Sequence, residues 1–320
     1  MIVISGENLN GLIEKLKKDF DFFDASLQSI RPSFKKFFFL PTEEIFATKV
    51  KPLFYKGLTF VANKPPKKFI LYGLNLPQLE ALAQMDEIMS KPNVDPFYFE
   101  KRKQSFVIGI IKEKIDAAPG GDLILEDKGD NQYRILANTL KGKNLVKNYN
   151  KFFQTIDDEK EKIPQIPGGS SLNEWSKSMR QLLLDPEFLA NAVEWSHDHK
   201  IWDELAEKCL GCGVCTYVCP ICHCFSIEDR VGLTGDCSRC RKWDACTLPE
   251  FSEIAGGHNF RPTIKERYYN WFYHKFVRAY KEYGKSQCVG CGACKHNCPA
   301  QIDIQEILKE ILKNYKKNNG

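Results

Sequence analysis

The sequence predicts an α+β fold in two parts. Residues 1–155 form a mixed α/β domain, residues 156–171 a linker, and residues 172–320 a mainly helical domain. Three observations carry this reading. Strand-like and helix-like patterns alternate up to residue 155. The run Ile163-Pro-Gln-Ile-Pro-Gly-Gly-Ser-Ser171 is built of turn residues, as linkers are. All 13 cysteines lie beyond Lys208, and none lies before it.

Taken in order, Met1–Ile4 is strand-like, and Leu9, Leu12, Ile13, Leu16 and Phe20 recur at helical spacing over Asn8–Phe20. Phe37–Leu40 reads as a short buried strand that Pro41 closes. Phe69–Gly73 is a strand leading into a helix opened by Pro77, with Leu79, Leu82, Met85 and Met89 on one face. Phe106–Ile111 and Asp122–Leu125 add strands. The turn Lys128-Gly-Asp-Asn131 makes Asp122–Ala137 a hairpin. Asn144–Ile156 closes the domain as a helix. Beyond the linker, Leu172–Leu184 and Pro186–Lys208 read as helices with Ser171 and Asp185 as N-caps. His197 and His199 fall in the second of these helices; they could be ligands, but near a helix end a surface position is the expectation. Thr263–Tyr283 aligns Tyr268, Phe272, Phe276, Ala279 and Tyr283, with Lys265, Arg267, Lys275, Arg278 and Lys281 around them. Such a stripe could stack single-stranded nucleic acid. Its helical period favours a buried packing face instead. Ile302–Tyr315 repeats the design with Ile304, Ile307, Leu308, Ile311 and Leu312.

Composition excludes several classes. A chain of 320 residues can bury a substantial core, and a formal net charge of +5 is too mild to argue for nucleic acid or a membrane surface. No apolar run approaches the roughly 20 residues that span a bilayer, and Met1-Ile-Val-Ile lacks a signal-peptide pattern, so a cytoplasmic location is expected. No phosphate-binding glycine fingerprint, G-x-S-x-G or H-E-x-x-H occurs. The acidic pairs Glu43–Glu44 and Asp157–Asp158 read as solvated surface, and no catalytic residue is assigned.

The cysteines are specific. Cys209-Leu-Gly-Cys212-Gly-Val-Cys215-Thr-Tyr-Val-Cys219-Pro220 and Cys288-Val-Gly-Cys291-Gly-Ala-Cys294-Lys-His-Asn-Cys298-Pro299 share one C-x2-C-x2-C-x3-C-P pattern. In two-cluster ferredoxins the three close cysteines hold one cluster, and the cysteine before the proline ligates the other. Two copies in one chain are what this crossing requires. Cys209, Cys212, Cys215 and Cys298 are therefore expected to hold one [4Fe–4S] cluster. Cys288, Cys291, Cys294 and Cys219 are expected to hold the second. Zinc usually takes two separated C-x2-C pairs and fits this spacing poorly. A disulfide framework fits a long chain without a leader less well still.

Five cysteines remain: Cys222, Cys224, Cys237, Cys240 and Cys246. The run Cys219-Pro-Ile-Cys222-His-Cys224-Phe is followed by Trp243-Asp-Ala-Cys246 and Gly257-His-Asn-Phe-Arg-Pro-Thr263. This combination resembles the β (iron–sulfur electron-transfer) subunits of cytoplasmic NiFe sulfhydrogenases and the A subunit of anaerobic sulfite reductase. The likeness is dense over Cys209–Asp303, and Lys35-Lys-Phe-Phe-Phe-Leu-Pro41 shares in it. It implies a subunit with no substrate of its own, relaying electrons between a flavin- and NAD(P)-binding reductase subunit and a catalytic metalloenzyme subunit. The helix-rich cluster module is likewise similar to the two-cluster domain in iron–sulfur subunits of succinate dehydrogenases. The hydrogenase members carry further cysteines around the strand–helix that here reads Leu71–Pro77 and after the strand ending at Ile111; this chain has none there.

The leading expectation is thus an electron-transfer subunit of a hydrogenase or sulfite/sulfur reductase complex. A self-contained enzyme with an open cluster site, or a structural zinc or nucleic-acid-binding module, stand as alternatives. The second tier of cysteines is expected to form a third metal site. Cys222 and Cys224 would supply two ligands, Cys246 the family-matched third, and Cys237 or Cys240 the fourth, with His258 a weaker candidate. Zinc or buried structural thiols remain as alternatives for these five.

Overall fold

The computed structural model describes residues 1–25, 33–50, 58–60, 67–112, 115, 119–156, 172–233 and 235–319. Its strands, among the described residues, are β1 (Ile2–Ser5), β2 (Asp21–Asp24), β3 (Thr42–Val50), β4 (Leu58–Phe60), β5 (Phe69–Leu74), β6 (Ser105–Ile111), β7 (Leu123–Gly129), β8 (Gln132–Ala137), β9 (Gln154–Thr155), β10 (Phe225–Val231) and β11 (Cys237–Trp243). The chain divides into two compact units: Met1–Phe34 with Pro66–Glu174, and Lys35–Pro65 with Trp175–Gly320. No helix among the described residues is long and apolar enough to cross a membrane.

The first unit is a seven-stranded mixed sheet in the order β2-β5-β6-β7-β8-β1-β9. Strands β2, β5, β6 and β7 run parallel, and the remaining pairs are antiparallel. Helix α1 (Gly6–Asp19) starts where the Ser5 side chain accepts from the Asn8 amide. It buries Leu9, Leu12 and Leu16 against Ile4, Ile70, Ile108 and Leu125 of the sheet. Helix α2 (Leu76–Ser90) is opened by an Asn75–Gln78 capping box, with Pro77 in its first turn. Leu79 of α2 comes so near β6 that a Cβ at Gly109 would fall 2.6 Å from its Cδ1. Helix α3 (Pro96–Gln104) brings Arg102 to Asp86 at 2.9 Å, and Tyr98 donates to the same carboxylate at 2.7 Å. The β7–β8 hairpin forms as expected, because Asp130 and Asn131 accept φ values of 47° and 58° at its turn. Toward the end of this unit the expected helix over 144–156 is instead α4 (Leu140–Asn148), a 3-10 turn and β9. Thr139 caps that helix earlier than periodicity suggests.

The second unit joins two stretches far apart in sequence. The expected first domain, 1–155, includes residues 35–65; in the structure these belong with the C-terminal unit. Strand β3 pairs antiparallel with β11, completing a four-stranded sheet in the order β10-β11-β3-β4. Glu43 of β3 and Arg241 of β11 form a buried ion pair at 2.6 Å. The guanidinium also lies 4.8 Å from the Phe39 ring centroid, and Trp243 Nε1 donates to the Phe39 carbonyl. The expected strand over Phe37–Leu40 is instead a 3-10 helix, Phe34–Phe37, and the extended stretch begins at Thr42. Phe38 and Phe39 of that run are buried, and Phe39 stacks on Trp243.

The rest of this unit is helical: α5 (Glu174–Leu182), α6 (Pro186–Trp195), α7 (Ile201–Lys208), α8 (Val214–Tyr217), α9 (Ile264–Phe272), α10 (Ala279–Tyr283), α11 (Ala293–His296) and α12 (Ile304–Asn319). Asp185 caps α6 by accepting from the Phe188 amide. The expected helix over 186–208 breaks at Ser196–Asp198, where His197 is exposed and His199 Nδ1 accepts from the Ile201 amide. Ser171 and most of the expected linker lie outside the described residues. Between α9 and α10 the helix widens into a π-helical segment, Tyr273–Arg278. The aromatic stripe packs inward: Tyr268, Trp271, Phe272 and Phe276 meet Trp202, Leu205, Ile304, Leu308 and Ile311.

Candidate metal centre

Both cysteine motifs adopt one backbone form. Gly211 and Gly213 have φ of 63° and 73°, and Gly290 and Gly292 have 66° and 74°. These left-handed values suit glycine. At Gly213 a Cβ would also stand 2.9 Å from that of Ala245, so the close approach itself demands glycine. Each motif then enters a single helical turn, α8 or α11, and the two turns pack against each other. Beyond these turns Cys219 stands near Cys288, Cys291 and Cys294, and Cys298 lines a cavity with Cys209, Cys212 and Cys215.

The first gathering is a cavity lined by Cys209, Cys212, Cys215, Cys294 and Cys298. Four of its five cysteines are those expected for one cluster, and the fifth, Cys294, is one expected at the other. The Gly211 amide donates to Cys209 Sγ and the Ile302 amide to Cys298 Sγ, both at 3.4 Å. Trp271 and Thr247 line the same cavity, and Trp271 Nε1 and Thr247 Oγ1 are buried without a hydrogen-bond partner. Buried donors rarely go unpaired, and sulfide or thiolate sulfur aimed at by an N–H and an O–H is the partner they lack. The residues therefore fit a sulfur-rich group in this cavity.

The second gathering surrounds Lys275. Cys219 stands close enough to Cys288, Cys291 and Cys294 for each to feel its charge. Lys275 Nζ donates to Cys219 Sγ at 3.3 Å and to the Gln287 carbonyl at 3.1 Å. Burial pushes Cys288 and Cys294 up and Cys291 to about 12; burial also pushes Cys215 of the first gathering to about 12. Cys219 runs the other way. The Cys222 thiol hydrogen-bonded to it holds Cys219 well below the usual range, against burial and aided by Lys275 and Lys35. For Lys275 burial opposes the charge, yet the neighbouring Cys219, Cys222, Cys288 and Cys294 outweigh it and hold the ammonium well above its ordinary range. Metal loading at the raised thiols releases protons and so is favoured by alkaline conditions.

The second tier separates. Cys222 bonds Cys219, while Cys224 bonds Cys246, which in turn feels Cys215. Lys35 reaches across to the Cys222 carbonyl at 2.8 Å and the Thr216 carbonyl at 3.2 Å, with its Nζ 4.4 Å from the Trp243 ring centroid. Cys237 and Cys240 come from a strand. They lie within β11, opposite Val231 and Glu228 of β10, and Cys237 is at the end of the strand remote from Trp243. Seven residues of extended chain span about 20 Å, which removes Cys237 from reach of Cys246. His258 is exposed and pairs its ring with Phe260.

Sequence reasoning singled out the eight motif cysteines but not their surroundings. Arg267 and Lys275 were read only as charge around the aromatic stripe, and both are buried. Lys35, Trp271 and Thr247 carried no signal except that Lys35 begins the Lys-Lys-Phe-Phe-Phe-Leu-Pro run. The hairpin β10–β11 was missed as well: a helical module with little strand was expected between the motifs.

The comparisons with known proteins agree with the cysteine pattern. The 4Fe-4S dicluster domain family matches residues 208–302, so the chain carries that domain. The chain is similar to sulfhydrogenase 2 subunit beta of Pyrococcus furiosus, with 29% identity over 255 residues that cover 76% of this chain and 74% of the relative. No solved structure matches it.

Proposed function

We propose that this homologue of a sulfhydrogenase β subunit is the electron-relay subunit of a hydrogenase-type complex, holding two [4Fe–4S] clusters by crossed ligation. Cys209, Cys212, Cys215 and Cys298 hold one, and Cys288, Cys291, Cys294 and Cys219 hold the other. The observation that carries this reading is the cavity in which the last cysteine of the second motif joins the first three of the first motif. Such clusters pass single electrons, with potentials set by hydrogen bonds, burial and local charge. The protein's part is to hold the eight thiolates, aim Trp271 and Thr247 at one site and Lys275 at the other, and keep both within one helical core. Cys212, alone among the 13 cysteines, is exposed, and it brings the first site to the surface where a redox partner can approach. In this reading a flavin- and NAD(P)-binding subunit and a catalytic metalloenzyme subunit are the partners on either side, as the sulfhydrogenase likeness suggests. The second tier supplies a third metal site from Cys222, Cys224 and Cys246, with Cys240 rather than Cys237 as the candidate fourth ligand.

Anaerobic EPR on single serine variants tests the crossing. Cys298→Ser and Cys215→Ser should perturb the same signal, and Cys219→Ser and Cys291→Ser the other. If Cys298→Ser instead perturbs the signal affected by Cys291→Ser, each motif closes on its own cluster and the crossing is wrong. Iron of about eight per chain measures the two clusters. Metal beyond that, lost in Cys246→Ser, measures the third site, and about eight irons with no other metal removes it.

A further inference from the structure

We infer that Lys275 sets the two clusters apart in energy, raising the reduction potential of the one on Cys219, Cys288, Cys291 and Cys294 above that of its neighbour. This inference rests on the crossed-ligation reading and adds to it a residue that is not a ligand.

Lys275 is 3% exposed, and among the described residues no carboxylate lies within ion-pair reach of it. Its polar partners are Cys219 Sγ at 3.3 Å and the Gln287 carbonyl at 3.1 Å, with the Trp271 ring centroid 5.3 Å away. A buried ammonium needs compensating negative charge, and thiolate sulfur is the one anion at hand. The placement is also held from the backbone. The Gln287 amide donates to the Lys275 carbonyl at 2.7 Å, and Gln287 Nε2 donates to the Ile221 carbonyl at 3.1 Å. The residue before Cys288 and the residue two after Cys219 are thereby tied around the same lysine.

Among the described residues the other site has no cation hydrogen-bonded to a cysteine sulfur. Trp271 and Thr247 offer it neutral donors. Arg267 is buried near enough for Cys209 to feel its charge, but its guanidinium donates to the Thr247, Arg261 and Pro262 carbonyls and to no cysteine sulfur. Adding an electron makes a thiolate-bound cluster more negative. A fixed cation in hydrogen-bond contact with one ligand stabilises the reduced form more than neutral donors do, so the potential of that site is the higher. An electron entering at the exposed Cys212 side then runs downhill toward Lys275.

The test is a reductive titration of the full chain, followed by EPR, on Lys275→Gln and Lys275→Arg. Glutamine keeps a hydrogen bond and removes the charge, whereas arginine keeps the charge. We expect Lys275→Gln, with iron content unchanged, to lower the potential of the signal assigned to Cys219 and Cys291 and leave the other in place. Lys275→Arg should restore most of the shift. Equal shifts in both signals, or none in either, overturn the inference while leaving the crossing intact. If the glutamine variant loses its cluster, the unsubstituted protein decides. There the signal perturbed by Cys291→Ser should appear first as the potential is lowered, and its appearing second overturns the inference. Absence of iron–sulfur signals from the unsubstituted protein would instead overturn the electron-relay reading itself.

Discussion

Among single residues, legibility depended on whether chemistry is written locally. Cys209, Cys212 and Cys215 declare themselves because ligands to one cluster must sit at fixed short spacing. Lys275 does not, because a helical wheel assigns it to the flank of the aromatic stripe. The π-helical segment changes that face. Lys275, Phe276 and Val277 are consecutive and all buried, an arrangement that a regular α-helix cannot direct to one side. His274, next in line, shows the electrostatic price of this density. Burial, followed by the charges of His223, Arg278 and Lys275, lowers it from 6.5 to about 3. Its folded pKa lies below its unfolded one, so its contribution is complete above pH 6.5 and is lost as the pH falls toward about 3. His274→Gln should therefore flatten the acid side of the stability profile. Denaturation midpoints at about pH 7.5 and about pH 5.5 should differ less in the variant than in the unsubstituted chain. Parallel profiles would mean that the unfolded and folded states bind this proton alike.

For secondary-structure elements, the sequence was clear where one period dominated. The amphipathic helices α1, α9 and α12 and the β7–β8 hairpin were all foreseen in outline, since a buried stripe or a turn with two tolerant residues is a local signal. The hairpin β10–β11 was not. Phe-Ser-Ile-Glu-Asp-Arg-Val is exposed along nearly its whole length, so no core face imposes an alternating pattern on it. What holds the sheet is a long-range pair invisible in sequence: Glu43 and Arg241 lie at 6% and 4% side-chain exposure. Glu43→Ala leaves the guanidinium buried without its carboxylate and should cost about 3–5 kcal/mol. A urea midpoint for the second unit checks it. A loss below about 1 kcal/mol would show that water or rearrangement replaces the pair, as at exposed ion pairs.

At the level of the whole molecule, the division of the chain was legible only in part. The cysteine boundary at Lys208 marked the metal-rich end, but the composition of residues 35–65 gives no hint that they fold with it. Their assignment comes from pairing, which single-sequence periodicity does not see. The two units also have separate cores, one made by Ile4, Leu12, Ile70 and Leu125, the other by Trp202, Phe272, Phe276 and Leu308. Stripping iron with an oxidant and a chelator should thus loosen the second core and spare the first. Amide exchange should accelerate in α6, α9 and α12 while β5 to β8 stay protected. Equal loss of protection in both would mean that the units unfold as one. Strand β3 has a further consequence in time. Glu43 and Arg241 are separated by 198 positions, so on a ribosome adding about 5–20 residues per second the acidic partner waits about 10–40 s for the basic one. Throughout that interval the future neighbour of β11 has no strand on that side, and the cysteine runs are still being made. The metal centre can close only once Cys298 has been made.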